Sequence, residues 1–245
     1  MKAMVLAAGV GSRLRPWTDQ HPKARVEVGG KPIIEIVLRR LAAACVRDVV
    51  VNTFHRAEEL EDYLRGCGGL GLRIQICRET ELLDTGGGLK NAAALLAGGE
   101  PFFLHNADVV SEVDLGRLLE AHRRSGALAT LSVRQRAASR LLLFDARGWL
   151  CGWERADTGE RTPARTPIDP VERLGFDGIQ VLSPSIFDEL HEDGAFSLTR
   201  AYLRLAAEGR RIEAFRADEY FWADIGSASK LESVQRHVAA HGLPV

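Results

Sequence analysis

Charge of one sign is what this sequence most plainly lacks. Its 245 residues hold 32 Lys and Arg against 33 Asp and Glu, a formal net charge of −1, and no run of like charge is long enough to act as a tail. That balance excludes the electrostatic footprint of a nucleic-acid binder or of a protein held to an anionic membrane. Paired cysteines are missing too. Cys45, Cys67, Cys77 and Cys151 form no C-x-x-C pair and have no Cys/His spacing that suits zinc, so a reduced, cytoplasmic setting is expected. No apolar run is long enough to span a bilayer. Met1-Lys2 and the AMVLAAGV that follows resemble a signal segment, but no small-residue cleavage site comes after them and the run passes into Gly11, Arg13 and Arg15, so none is expected. There is no internal repeat, and an appended β-helix is not expected.

What is present is alternation. A short apolar run, Ala3 to Ala8, reads as a buried strand ending in glycine. Pro32 opens a helix whose Ile33, Ile36, Val37 and Leu41 share one face. Residues 48–52, 72–77, 101–105 and 128–133 read as further buried strands. Helices are expected over 57–65, from Gly86 to Ala97, and through His122 after a cap at Asp114. Strand and helix in turn, with short connections, predict an α/β fold: a Rossmann-like, mostly parallel central sheet with helices on both faces. Ligands of such sheets bind at the carboxyl ends of the strands, where the Gly9 loop and Asp108 fall and which the glycines at 86–88 approach. The second half differs. A hairpin is expected about Asp145-Ala146-Arg147-Gly148, a strand over 176–182, a helix carrying Leu198, Ala201, Tyr202 and Leu205, and a last helix from near Ser227. The polar stretch 155–172, with Pro163, Pro167 and Pro170, reads as a long loop that is either disordered or functional, as a lid is.

The chemistry concentrates in residues 5 to 32, VLAAGVGSRLRPWTDQHPKARVEVGGKP. A glycine loop after a first strand exposes backbone N–H groups that cradle phosphates, and small residues let the backbone come close. Arg13 and Lys23 add cations within reach of the same phosphates. Neither standard phosphate loop is present: Leu14 stands where the dinucleotide fingerprint needs a third glycine, Pro16 follows, and there is no Gly-Lys-Ser/Thr. The segment instead resembles the signature of the sugar-nucleotide pyrophosphorylases, the sugar-1-phosphate nucleotidyltransferase family: L-A-A-G-x-G-x-R-L-x-P-x-T, then P-K, then G-K-P. Leu6 to Gly9, Gly11, Arg13, Leu14, Pro16, Thr18, Pro22, Lys23 and Gly30 to Pro32 match in order. Ala24 and Glu27 depart from prolines usual in that pattern, at positions that shape the loop rather than react.

The resemblance implies roles for further residues. Arg13, Lys23 and Asp108 would be catalytic, with Arg13 and Lys23 on the triphosphate. Ala8, Gly9, Gly11, Gly86 and Gly87 would bind the nucleotide, the last two in the run Asp84-Thr85-Gly86-Gly87-Gly88 whose backbone would read the base. Asp108, in His105-Asn106-Ala107-Asp108, and Asp224, in Trp222-Ala223-Asp224-Ile225-Gly226-Ser227, would hold Mg²⁺. Taken alone, Asp108 reads better as a helix cap or a solvated turn aspartate; beside the first motif, the metal reading prevails. On the sugar side stand Glu154, Gly178 and Arg140. The E-K-P triplet of relatives is missing after Glu154, and Arg140 is either a cation for the sugar's phosphate or a plain surface arginine. The histidines and Trp149, Trp153 and Trp222 form no catalytic constellation.

Taken whole, the sequence reads as one unit over 1–245, with residues 1–135 as the nucleotide half and 136–245 as the sugar half and C-terminal helix. The expected partners are a nucleoside triphosphate and a sugar 1-phosphate, with no nucleic acid or membrane, in a monomer or small homo-oligomer. The compact length, the T-G-G-G run and F-x-G-I-x-V-L are similar to the N-acetylmuramate-1-phosphate uridylyltransferases. Mannose- and heptose-1-phosphate guanylyltransferases share much of this. A catalytically silent sensor on the same fold and a cytidylyltransferase of alcohol phosphates are the rivals.

Overall fold

The computed structural model describes residues 1–244; Val245, the end of the span expected as one unit, lies outside the described residues. In chain order the first half contains β1 (Lys2–Leu6), α1 (Trp17–Gln20), β2 (Glu27–Val28), β3 (Lys31–Pro32), α2 (Ile33–Ala43), β4 (Asp48–Thr53), α3 (Ala57–Gly66), β5 (Arg73–Arg78), α4 (Asp84–Asn91), α5 (Ala93–Leu96), β6 (Phe102–Asn106), β7 (Val109–Ser111), α6 (Leu115–Ser125) and β8 (Ala129–Arg134). The second half adds β9 (Arg140–Phe144), β10 (Leu150–Arg155), β11 (Arg161–Pro163), β12 (Glu172–Leu182), α7 (Ile186–Glu189), α8 (Leu198–Ala207), β13 (Ile212–Arg216), β14 (Trp222–Asp224) and α9 (Ala228–His241).

A ten-stranded sheet runs through both halves in the order β11-β10-β9-β12-β6-β1-β4-β5, with β8 and β13 branching from β12. Strands β6, β1, β4 and β5 are parallel, the βαβ pattern expected from the sequence. The long β12 then lies antiparallel to β6, β8 and β9, so the second half converts a parallel sheet into a mixed one. Alternation along β1 shows why both faces are covered: Met4 enters one core, Ala3 and Val5 the other. One core is closed by Leu89 and Leu96 and by Leu198, Ala201 and Leu205 of α8. The opposite core is closed by Ile34, Val37 and Leu41 of α2 with Leu60 and Leu118.

Local signals act where the sequence put them. Asp114 accepts the N–H of Arg117 at 2.9 Å and starts α6, and Ser227 accepts from Lys230 and starts α9. A third apolar cluster sets Val234 and Val238 of α9 against Val26, Val28, Val110 and Ile225. It brings the C-terminal helix onto the signature hairpin β2–β3. Two expectations are corrected. The glycine run 86–88 is inside helix α4, which starts at Asp84. The stretch 155–172 is no open loop: β11 pairs with β10, the N–H of Ala164 donates to Cys151, and that of Ala146 donates to Ile168. None of its residues lines the cavity described next.

Candidate active site

The carboxyl ends of β1, β4 and β6 open into a cavity of about 360 Å³, walled by the backbone from Leu6 to Gly9, by Lys23, Asn52, Asp84 and Thr85, and by Asn106 to Asp108. The wall starts where β1 stops. The N–H of Ala7 donates to Asn52 Oδ1 at 2.7 Å, and Asn52 Nδ2 donates to Glu79 Oε1 at 2.7 Å. All three are buried. Glu79 also accepts the N–H of Leu83, one residue before α4. A buried polar chain thus ties the glycine loop to the opposite wall, where an unpaired group would cost about 1–3 kcal/mol. Sequence reasoning missed Asn52 and Glu79; the signal for Asn52 was a polar residue at the end of an otherwise apolar strand.

Past Ala8 and the open Gly9, the chain turns at Gly11, whose φ of 66° is left-handed. Its carbonyl accepts from the N–H of Leu14 and from Thr18 Oγ1. The turn delivers Arg13 and, after the buried Pro22, Lys23. Lys23 Nζ is hydrogen-bonded to Asp108 Oδ2.

Asp108 and Asp224 come from opposite ends of the chain and meet through a small ladder. Strand β14 pairs with β7 so that Asp224 lies opposite Val109, and the N–H of Ile225 donates to the carbonyl of Asp108 at 3.0 Å. Asp224 accepts the N–H of Gly226 at 2.8 Å and the ammonium of Lys230. Burial alone would raise the Asp224 carboxyl; the hydrogen bonds from Lys230 and Gly226 and the charges of Lys230 and Lys23 outweigh it and hold the pKa below the ordinary value. Gly226 leaves the gap in which Arg13 joins them. A Cβ there would stand 2.8 Å from Arg13 Nη2 and 2.5 Å from Asp224 Oδ1. Arg13, Lys23, Asp108 and Asp224 therefore form one constellation, with Lys230 as a member the sequence reading did not name.

A divalent cation fits this donor set. Mg²⁺ is held in such sites by one or two carboxylates together with substrate phosphate oxygens, and Asp108 and Asp224, joined through the β7–β14 ladder, each carry one ammonium partner.

Other expected residues fall elsewhere. Gly86 and Gly87 are buried in α4, and their N–H groups donate to the carbonyl of Phe196 at 2.9 and 3.4 Å. A Cβ at Gly86 would lie 2.2 Å from the Phe196 ring, and one at Gly87 2.3 Å from the carbonyl oxygen of Gly194. They are glycines because α4 packs closely against 194–196. Their N–H donors are used within the fold, and from the 84–88 run Asp84 and Thr85 line the cavity. On the sugar side, Gly178 has φ 76° at a bulge of β12, and a Cβ there would be 2.6 Å from Asn106 Nδ2, so it borders the cavity wall. Glu154 is buried with its two oxygens taken by Arg161 and Arg173 and lies away from the cavity. Arg140 is exposed, opposite Arg155 on the β9–β10 ladder, and does not line the cavity.

Comparison with known proteins decides the family. Residues 2–141, more than half of the chain, match the family described as nucleotidyl transferase. This chain belongs to that family. The nucleotidyl transferase is 38% identical over 229 residues to the N-acetylmuramate alpha-1-phosphate uridylyltransferase of Caulobacter vibrioides, covering 91% of each chain. It is 29% identical to the protein of the same name from Neisseria meningitidis, covering 96% of this chain and 97% of that one. To the mannose-1-phosphate guanylyltransferase of Mycobacterium tuberculosis it is 30% identical, and there it spans 61% of the longer protein. Among solved structures, a UDP-glucose pyrophosphorylase complexed with UDP-glucose matches with TM-score 0.78 at 20% identity, covering 98% of each chain, and carries the fold. The sugar-1-phosphate nucleotidyltransferase family that the signature resembles is thus the family of this nucleotidyl transferase. Among its described residues, no helix is long and apolar enough to cross a membrane.

Proposed function

We propose that the chain transfers a uridylyl group from UTP to N-acetylmuramate 1-phosphate, releasing pyrophosphate. One observation carries this choice within the family: the likeness to the uridylyltransferase of Caulobacter vibrioides covers 91% of both chains, whereas the guanylyltransferase of Mycobacterium tuberculosis is longer and only 61% covered. We read residues 1–245 as one catalytic unit, in a cytoplasmic setting that agrees with four free cysteines.

In this mechanism the backbone of Ala8 and Gly9 meets the triphosphate, with Gly11 shaping the turn. An oxygen of the sugar 1-phosphate attacks the α-phosphorus in line, and the bond from that phosphorus to the β-phosphate oxygen breaks. The electron pair leaves with pyrophosphate. The attacking phosphate is already anionic, so no general base or covalent enzyme intermediate is needed. The protein's contribution is positioning and charge. Lys23 and Arg13 neutralise charge that grows between the α-phosphate and the leaving group. Asp108 and Asp224 would hold Mg²⁺, which supplies further neutralisation of the phosphate oxygens when bound.

A pyrophosphate-release assay over UTP, GTP, CTP and dTTP against N-acetylmuramate, N-acetylglucosamine and mannose 1-phosphates tests the proposal. The expected result is a kcat/KM for UTP with N-acetylmuramate 1-phosphate above every other pair. GTP with mannose 1-phosphate in first place would overturn it, and tight nucleotide binding without turnover on any pair would favour a sensor.

A further inference from the structure

Among the cations in and around the constellation, Arg13 and Arg136 have no carboxylate within salt-bridge distance among the described residues, and Arg136 is the one that the fold encloses. Lys23 meets Asp108, Lys230 meets Asp224, and Arg134 makes a bidentate pair with the buried Asp177. Arg136 has no such partner among the described residues. It lies in the connection between β8 and β9, half-buried, with its guanidinium 4.4 Å above the ring of Trp222. Nη2 donates to the carbonyl of Phe176 at 2.8 Å, while Nε is buried with no hydrogen-bond partner. Gly175 makes room for it: a Cβ there would lie 2.6 Å from Nε and 2.9 Å from Cζ. The fold has built a flat cradle for a guanidinium, with an indole beneath and a glycine beside it, and among the described residues no carboxylate is in direct contact with it. Enclosing an arginine is costly unless an anion meets it, and a stacked, immobilised fork is the form in which arginine binds carboxylates best.

The position says which anion is absent. Trp222 and Asp224 are two residues apart on β14, so they project from one face of the strand, about 7 Å apart by the rise of a β-strand. The Arg136 cradle, stacked on Trp222, is therefore set along β14 from Asp224 by about that spacing. A sugar 1-phosphate whose phosphate lies at the Asp108–Asp224 end cannot reach Arg136 with that phosphate. A group on the far side of its ring can. The buried Asp177 is already paired with Arg134 and hydrogen-bonded by Ser132, so it does not fill the role.

We propose that Arg136 is a specificity-determining residue that binds a carboxylate on the sugar, so that the acceptor is a sugar 1-phosphate bearing a second, carboxylate anion. The inference rests on nucleotidyl transfer to a sugar 1-phosphate but not on the particular sugar. N-acetylmuramate, with its lactyl carboxylate, satisfies it, and a uronic acid 1-phosphate would as well.

The test compares the full-length wild type with Arg136→Gln, Arg136→Lys and Gly175→Ala, using steady-state kinetics. The acceptors are N-acetylmuramate 1-phosphate, N-acetylglucosamine 1-phosphate (the same ring without the lactyl group) and glucuronate 1-phosphate. Arg136→Gln should raise KM for the carboxylated acceptor about 30-fold or more, the effect of losing a charge-assisted pair, with kcat nearly unchanged. KM for the neutral acceptor should move less than about three-fold, which also shows that the variant folds. Arg136→Lys should recover part of the loss, and Gly175→Ala, which pushes the guanidinium from its cradle, should reproduce part of it. An equal loss on both acceptors, or no loss on either, overturns the inference. A wild type that prefers glucuronate 1-phosphate and loses that preference in Arg136→Gln would overturn the N-acetylmuramate proposal and keep this one. A wild type that prefers the neutral acceptor overturns both.

Discussion

At the scale of single residues, the constellation separates side chains that hold charge from those that hold shape. Asp108 and Asp224 each carry an ammonium partner, so changing either to Asn removes a charge without removing volume. Asp108→Asn and Asp224→Asn should each lower turnover by at least about three orders of magnitude, the several kcal/mol that a lost metal carboxylate costs, while far-UV circular dichroism stays native. Near-normal activity at modest Mg²⁺ in either variant would remove both from the metal site. Lys23 has two readings. As an ordinary loop lysine, its change to Ala would cost about 0.5 kcal/mol or less. As a group that meets the triphosphate in the transition state, it should cost on the order of 100-fold in kcat and leave KM for the sugar phosphate near the wild-type value. Its Nζ sits on Asp108 in the cavity wall, which favours the second reading. A Lys23→Ala variant whose only defect is a raised KM for the sugar phosphate would assign the lysine to the other substrate.

At the scale of elements, local grammar was the most legible part. Apolar runs ending in glycine or a polar residue became parallel strands, and Asp114 and Ser227 started the helices they were expected to start. The glycines at 86–88 were harder, because a glycine kept for close packing and one kept for backbone access look alike in a sequence. Only the ring of Phe196, more than a hundred residues away, distinguishes them. Asn52 and Arg136 were hidden for the same reason, since their partners Glu79 and Trp222 are brought near by the fold alone. The stretch 155–172 misled by composition: prolines and polar residues also suit a short edge strand, where a missing N–H faces solvent. The element that binds the two ends of the chain is α9. Val234, fully buried, packs it onto the signature hairpin and Ile225. Val234→Ala should cost about 2 kcal/mol of stability from lost burial and the cavity left behind. It should also raise the Mg²⁺ concentration needed for half-maximal activity, because Asp224 precedes that helix by four residues. A urea titration and an Mg²⁺ titration check the two effects; a variant that loses stability with no change in the Mg²⁺ requirement would uncouple α9 from the carboxylate pair.

For the whole molecule, the distribution of buried ionisable groups predicts how it responds to acid. His105, in the middle of the sheet, and His122, between α6 and β8, are both buried, and burial is the main cause that lowers each pKa from 6.5 to about 4. A group whose folded pKa lies below its unfolded one binds more protons when unfolded, so stability is complete above the unfolded pKa and falls as pH drops between the two values. For these histidines the window is about pH 6.5 down to about 4, and each contributes up to about 3 kcal/mol across it. Glu35 continues the loss at lower pH. The hydrogen bond from Tyr63, together with Lys31 and Arg39, outweighs burial and lowers its pKa to about 2, so its contribution is present above 4.5 and lost between 4.5 and 2. Asp177 runs the other way, because burial raises its carboxyl against the pull of Arg134, and it tempers the fall without reversing it. Urea midpoints measured at pH 7.5, 6.5, 5.5 and 4.5 should therefore decline steadily, most steeply below 6.5. His122 bonds Thr130 and Ser183 through its two ring nitrogens, so His122→Gln, which can keep one of those bonds, should lower stability at pH 7.5 and flatten the decline. A midpoint that holds constant between pH 6.5 and 4.5 in the wild type would mean that these histidines find a proton without unfolding, and the buried neutral reading of both would fail.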